Sequence, residues 1–211
     1  MRLFQTIRVA ATALGLGLLL AACTITSAQP LVADAEAVTP LPDHFIFYSY
    51  KAGPDGYRRT EDGPMIFTRR GKTYVATDPS TKDDHMVLRF LPLRHGYLLA
   101  VNGMDGNPDG TLYGFMSYAD GVMSLETTPD AGTAAAIRKA QPGTKALDEL
   151  TIGSSGEIEL SSRAALDALI DLYEQGRLPL GDRLVGEAVE NPDAQPATRL
   201  IATATGWTKV P

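Results

Sequence analysis

The sequence predicts an α+β protein that is mainly β: an antiparallel meander of about seven strands, a sandwich or small barrel, followed by one or two covering helices. Three observations carry this. Twelve of the fifteen aromatic residues fall between Phe45 and Tyr118, and aromatic and β-branched residues favour strands. Short turn signals separate the apolar runs of that region. After residue 160 the apolar period changes from two to 3.6.

The candidate strands are 44–50, 65–69, 72–77, 86–91, 97–102, 111–118 and 122–127. Asp120-Gly121 suits a two-residue hairpin with both central residues at positive φ. Arg94-His95-Gly96 suits a three-residue hairpin with glycine in the left-handed position, and Arg70-Gly71 a third tight turn. Strands joined this way pair antiparallel. Met86, Leu88 and Phe90 share one strand face, as do Tyr97, Leu99 and Val101. The opposite faces carry Val87, Leu91, Leu98 and Ala100, so the sheet should be packed inside and covered outside.

The covering elements come next. Thr128 and Pro129 open a first helical stretch that stops at Pro142-Gly143. In residues 162–175, Leu166, Leu169, Ile170 and Tyr173 recur at i, i+3, i+4 and i+7, which predicts a helix with one buried stripe. Ser161 or Ser162 caps it and Gly176 stops it. Beyond Leu180 large apolar residues are sparse, so 181–211 is expected to be a partly disordered tail with one edge strand near residue 200. The globular domain is therefore expected at 43–180.

The first residues carry a different signal. Arg2 and Arg8 precede an uncharged apolar run from Val9 to Leu20, followed by small residues and the single cysteine. That is the layout of a secretory signal peptide, too short for the roughly 20 residues a spanning helix needs. Leu20-Ala21-Ala22-Cys23 resembles the lipobox of bacterial lipoproteins. The resemblance implies cleavage between Ala22 and Cys23, a diacylglycerol on the Cys23 thiol and membrane attachment through it. Thr24, in place of an aspartate, implies the outer membrane, facing the periplasm. An ordinary cut after Thr26-Ser27-Ala28 is the alternative. Residues 24–42 hold no aromatic, no basic residue and three prolines, and read as a flexible tether from the lipidated cysteine.

Composition narrows the partners. Loss of residues 1–22 removes two arginines and no acid, leaving 189 residues with 17 basic and 25 acidic side chains, a net charge of −8. That balance argues against nucleic acid. With its one cysteine lipidated, the chain forms no disulfide and must rest on its apolar core.

Catalytic and metal patterns are weak. His44, His85 and His95 are scattered, and no cofactor is expected. Asp105, Asn107 and Asp109, with Gly110 at the sixth position, match the first half of a calcium loop. Met116 stands where that loop needs glutamate, so a polar hairpin is the plainer reading. Arg58, Arg59, Arg69 and Arg70 could contact an anion, or simply solvate a hairpin. No nucleophile motif occurs. The expectation is a lipid-anchored envelope protein that binds an envelope protein or small molecule, or makes structural contacts, without catalysis. A lipid or small-molecule carrier with an aromatic-lined barrel pocket is the alternative, and a periplasmic hydrolase or metal-dependent enzyme a third reading. A carrier needs a cavity of several hundred Å³, whereas a structural module is filled by its own side chains.

Overall fold

The structure is a computed structural model that describes residues 25–61, 63–77, 84–104, 107–126, 150–152, 158–181 and 183–211, with positions 137 and 139. All seven expected strands form: β2 (His44–Gly53), β4 (Met65–Arg70), β5 (Thr73–Thr77), β6 (Asp84–Leu93), β7 (Gly96–Met104), β8 (Asn107–Ala119) and β9 (Val122–Glu126). Between them, β3 (Gly56–Arg59) folds back on the end of β2. The eighth stave is β12 (Arg183–Val189), which pairs antiparallel with both β9 and β2 and closes the ring β2-β4-β5-β6-β7-β8-β9-β12. The sheet is thus a closed antiparallel barrel, and closure removes the exposed edges that an open sheet would present.

The turns follow their chemistry. Asp120 (φ 56°) and Gly121 (φ 76°) both take positive φ between β8 and β9. At the β6–β7 turn Leu93 pairs with Gly96, so the loop is the two residues Arg94-His95 rather than three, and Gly96 (φ 100°) opens the next strand. One barrel end holds these turns and the start of β2; call it the turn end. The opposite end holds the C-termini of β5, β7 and β9 and the N-terminus of β12; call it the far end.

The expected tether is instead part of the fold. β1 (Ile25–Ser27) pairs antiparallel with β8 and parallel with β11 (Ile158–Leu160), which in turn pairs with β10 (Thr151–Ile152). Ile25, Val32, Ala37 and Leu41 are buried. Polar contacts fix the segment along its length: the Tyr113 hydroxyl accepts from Leu31 N–H at 2.9 Å, and Arg163 meets Glu36 at 2.7 Å. Arg89 reaches Asp34 at 2.5 Å. Val38 then bridges to Phe90, and Leu41 enters the interior cluster, so residues 38–41 plug the turn end.

The tail is structured too. Besides β12, it supplies β13 (Arg199–Ala202) and β14 (Trp207–Val210); β13 pairs with β3 and β14 with β13. They cover the outer face of β2, β9 and β12, where Tyr50, Val122, Val185, Ala197 and Leu200 are buried with Tyr57 and Trp207 packed against them.

The outer faces of β7 and β8 (Leu98, Ala100, Tyr113, Phe115) are covered by α1 (Arg163–Glu174). Ser162 caps it, its hydroxyl accepting from Ala165 N–H at 3.2 Å. At the other end Gly176 (φ 65°) completes a Schellman turn, with Arg177 N–H to Leu172 O and Gly176 N–H to Tyr173 O at 2.9 Å each. The buried residues are Ala165, Leu166, Leu169 and Leu172. The stripe is therefore rotated from the expected one, with Ile170 and Tyr173 only partly buried at its margin. The rotation follows from packing on three partners at once: the barrel wall, β11 and the N-terminal segment. Thr128 and Pro129, expected to open a first helix, lie outside the described residues.

Candidate functional site

The barrel interior is built by alternation. Inward positions are Phe45 and Phe47 on β2, Phe67 on β4, Tyr74 and Ala76 on β5, and Met86, Leu88 and Phe90 on β6. Across from them stand Leu99 and Val101 on β7, Met116 on β8, Met123 and Leu125 on β9 and Ala188 on β12. These residues divide the interior into two halves of different character.

The half nearer the turn end is filled with rings. Phe45 stacks on Phe67 at 5.0 Å and meets Tyr74 edge-on at 6.0 Å; Tyr74 meets Phe90 at 5.6 Å, and Phe90 meets Tyr97 at 6.3 Å. Edge-to-face and offset-stacked pairs at such distances add to the stabilisation from burial itself. The Tyr74 hydroxyl is satisfied by the plug, accepting from Leu41 N–H at 3.0 Å and donating to Leu41 O. Burial pushes its pKa above the usual tyrosine value, so it stays a neutral donor.

The half nearer the far end holds a cavity lined by Phe47, Phe67, Met86, Leu88, Leu99 and Val101 on one side. Met116, Met123, Leu125, Leu184, Val185 and Gly186 line the other. Counted as the space open to the centre of a water molecule, its volume is about 80 Å³. That exceeds the roughly 10–15 Å³ a single water needs, but is well below the 300–1,000 Å³ of a drug-sized pocket. The lining offers no hydrogen-bonding side chain, and apolar cavities of this kind exclude water and accept apolar guests. Three of the walls are methionines, whose unbranched thioethers repack at low cost. Gly186 matters for its shape. A Cβ there would fall 1.9 Å from the Phe47 ring, so only glycine lets that ring lie flat against the wall.

The sequence-derived candidates are dispersed. Ala22, Cys23 and Asp105 lie outside the described residues. Asn107 and Asp109 belong to β8, with Asn107 paired to Met104. Among the described residues no group of three or more His, Cys, Asp or Glu side chains is placed to hold a metal. The arginines separate into two sets. Arg58 pairs with Lys51 of β2, whereas Thr68, the neighbour of Arg69, pairs with His44. Seven residue steps along β2, roughly 23 Å, therefore separate the sets, too far for them to share one anion. Arg58 bonds Asp55 at 3.4 Å, Arg69 bonds Asp43 at 2.6 Å, and Arg59 lies 6.0 Å from the Tyr48 ring centroid; Arg70 sits at the turn end of β4.

One buried carboxylate escaped the sequence reading. Glu187, 4% exposed, faces outward from β12. Its Oε2 accepts from the Tyr50 hydroxyl at 2.7 Å and from Ala197 N–H at 2.8 Å, and Lys209 Nζ lies 3.0 Å from Oε1. Burial, then the Glu187 carboxylate, pushes the Tyr50 pKa far up. With every oxygen engaged, this cluster clasps β13 and β14 to the barrel, on the far side of the wall from the cavity. Its only sequence signal was a lone glutamate between Gly186 and Ala188.

Comparison with known protein families, curated proteins and solved structures finds no match for this chain.

Proposed function

We propose that this protein is a lipid-anchored bacterial envelope protein whose barrel binds a slender apolar ligand, the segment of a single hydrocarbon chain, without chemical turnover. The cavity in the far half carries the reading. A closed barrel with an apolar, methionine-walled space suits a guest that brings no polar group to satisfy. Its size excludes bulky ligands. Its lining supplies no acid, base or nucleophile, which favours binding over catalysis. The anchor rests on the lipobox-like Leu20-Ala21-Ala22-Cys23, and the outer membrane on Thr24.

Two experiments test the two parts. The intact mass of protein extracted from membranes should carry diacylglycerol on a chain beginning at Cys23, and Cys23→Ala should abolish it; a mature chain beginning at Gln29 refutes the anchor. For the cavity, a non-lipidated Cys23→Ser chain should bind a slim fluorescent polyene fatty acid, with Val101→Trp losing the signal while keeping its fold by circular dichroism. Equal fluorescence from both proteins, or none from either, leaves a barrel that acts by structural contact alone.

A further inference from the structure

Two strands share one edge of β8. β9 occupies it from Phe115 to Ala119, with Glu126 opposite Phe115; β1 occupies it from Thr111 to Tyr113, with Ile25 opposite Tyr113. Both run antiparallel to β8, so the end of β9 and the start of β1 lie in line. Only Gly114 of β8 lies between their partners Tyr113 and Phe115, a two-step separation of about 7 Å. Along that edge of β8 only the place opposite Gly114 lies between Ile25 and Glu126. Cys23 is two residues from Ile25, a span of at most about 7 Å. Chain length alone therefore ties the anchor to Ile25, the described residue that lies beside the end of β9.

That place is the rim of the cavity-bearing half. Glu126 pairs with Arg183 across β12, their side chains bonded at 2.8 Å, and the next residues inward, Leu125 and Leu184, line the cavity. Leu180, the large hydrophobic side chain most exposed among the described residues at 39%, precedes Arg183 by three positions. From this geometry we infer that the β9–β12 rim rests against the lipid headgroups, and that the cavity takes its hydrocarbon chain from the bilayer in which Cys23 is anchored. The inference rests on the lipid anchor proposed above. A 19-residue tether would let the domain stand clear of the membrane in any orientation. A domain that begins two residues after the anchor is held with one flank down.

The test uses the full lipidated protein in phosphatidylcholine vesicles that carry a spin label on the headgroup. Because Cys23 is consumed by lipid, Arg183→Cys at the rim or Lys72→Cys at the turn end adds the one reactive thiol, which receives an environment-sensitive fluorophore. Quenching should be several-fold stronger at 183 than at 72. A Gly/Ser insert of about 20 residues after Thr24, with an r.m.s. reach of about 25 Å, should erase the difference. Leu180→Cys provides a second rim position that leaves the Glu126–Arg183 pair intact, and should quench like 183. Equal quenching at rim and turn end, in protein whose mass carries diacylglycerol, overturns the orientation alone. Absence of that mass overturns the anchor and this inference with it.

Discussion

The two halves of the barrel interior share the same eight walls and differ in what fills them. Near the turn end, five rings pack on one another and on the plug at residues 38–41; near the far end, methionine, leucine and valine leave a cavity of about 80 Å³. Planar rings lock into a few edge and stacked arrangements, whereas flexible thioethers tolerate several. One half is closed by ring-on-ring packing, and the other keeps a cavity walled by side chains that can repack.

The largest expected effect comes from making the two ends alike. A chain that begins at Asp43 loses β1 and the plug, together with the buried side chains Ile25, Val32 and Leu41. Each such side chain contributes about 1.5–3 kcal/mol on burial, so the loss is comparable with a whole domain stability of about 5–15 kcal/mol. Urea melts should show a collapsed midpoint or no cooperative transition. A midpoint equal to that of the chain from Thr24 would mean that the segment is a tether after all.

Smaller truncations sharpen the contrast between the halves. Phe90→Ala removes a fully buried ring from the packed half and should cost about 3–5 kcal/mol. Met123→Ala removes a side chain that already borders empty space, so about 2 kcal/mol is expected, along with tighter binding of a bulkier apolar probe. Equal losses in the two urea curves would show that both halves are equally packed.

Gly186→Ala addresses the wall between the halves. The added methyl drives into Phe47 and should cost about 1–3 kcal/mol by overpacking. Pairing it with Phe47→Leu should restore much of the loss. Additive rather than compensating melts would show that the ring and the glycine are not coupled.

The mildest effect concerns pH. Tyr50 has its pKa raised in the folded state by burial and by Glu187, so above the unfolded tyrosine value, about pH 10, the unfolded chain releases a proton that the folded one keeps. Stability contributed by this group is complete below that pH and falls as pH rises beyond it. Tyr50→Phe should be less stable at neutral pH, by about 1 kcal/mol for the lost hydrogen bond, with a shallower alkaline decline in thermal melts between about pH 9 and 11. Parallel curves for the two proteins would place the alkaline loss elsewhere, on Tyr74, Tyr118 or Tyr173, which are raised by burial too.

By itself the sequence determined what local chemistry controls. Seven staves of the barrel follow from aromatic alternation between residues 44 and 127, the β8–β9 turn from Asp120-Gly121, and both ends of α1 from Ser162 and Gly176. Each rests on contacts within a few residues, so each is legible along the chain. Barrel closure was not. β12 is covered on both faces, so Leu184, Gly186 and Ala188 point inward while Val185, Glu187 and Val189 face a second layer, and no polar–apolar alternation marks it. The segment 25–41 reads as a linker because it holds no aromatic or basic residue and its buried aliphatics Ile25, Val32 and Leu41 are far apart and interrupted by prolines; partners as distant as Tyr74, Phe90 and Tyr113 turn it into strand and plug. The cavity is the most remote from sequence, since it is the volume left over when eight strands close and their side chains fall short of filling the ring. Pairing and packing between residues far apart in the chain decide such features, and only the tertiary structure brings those residues together.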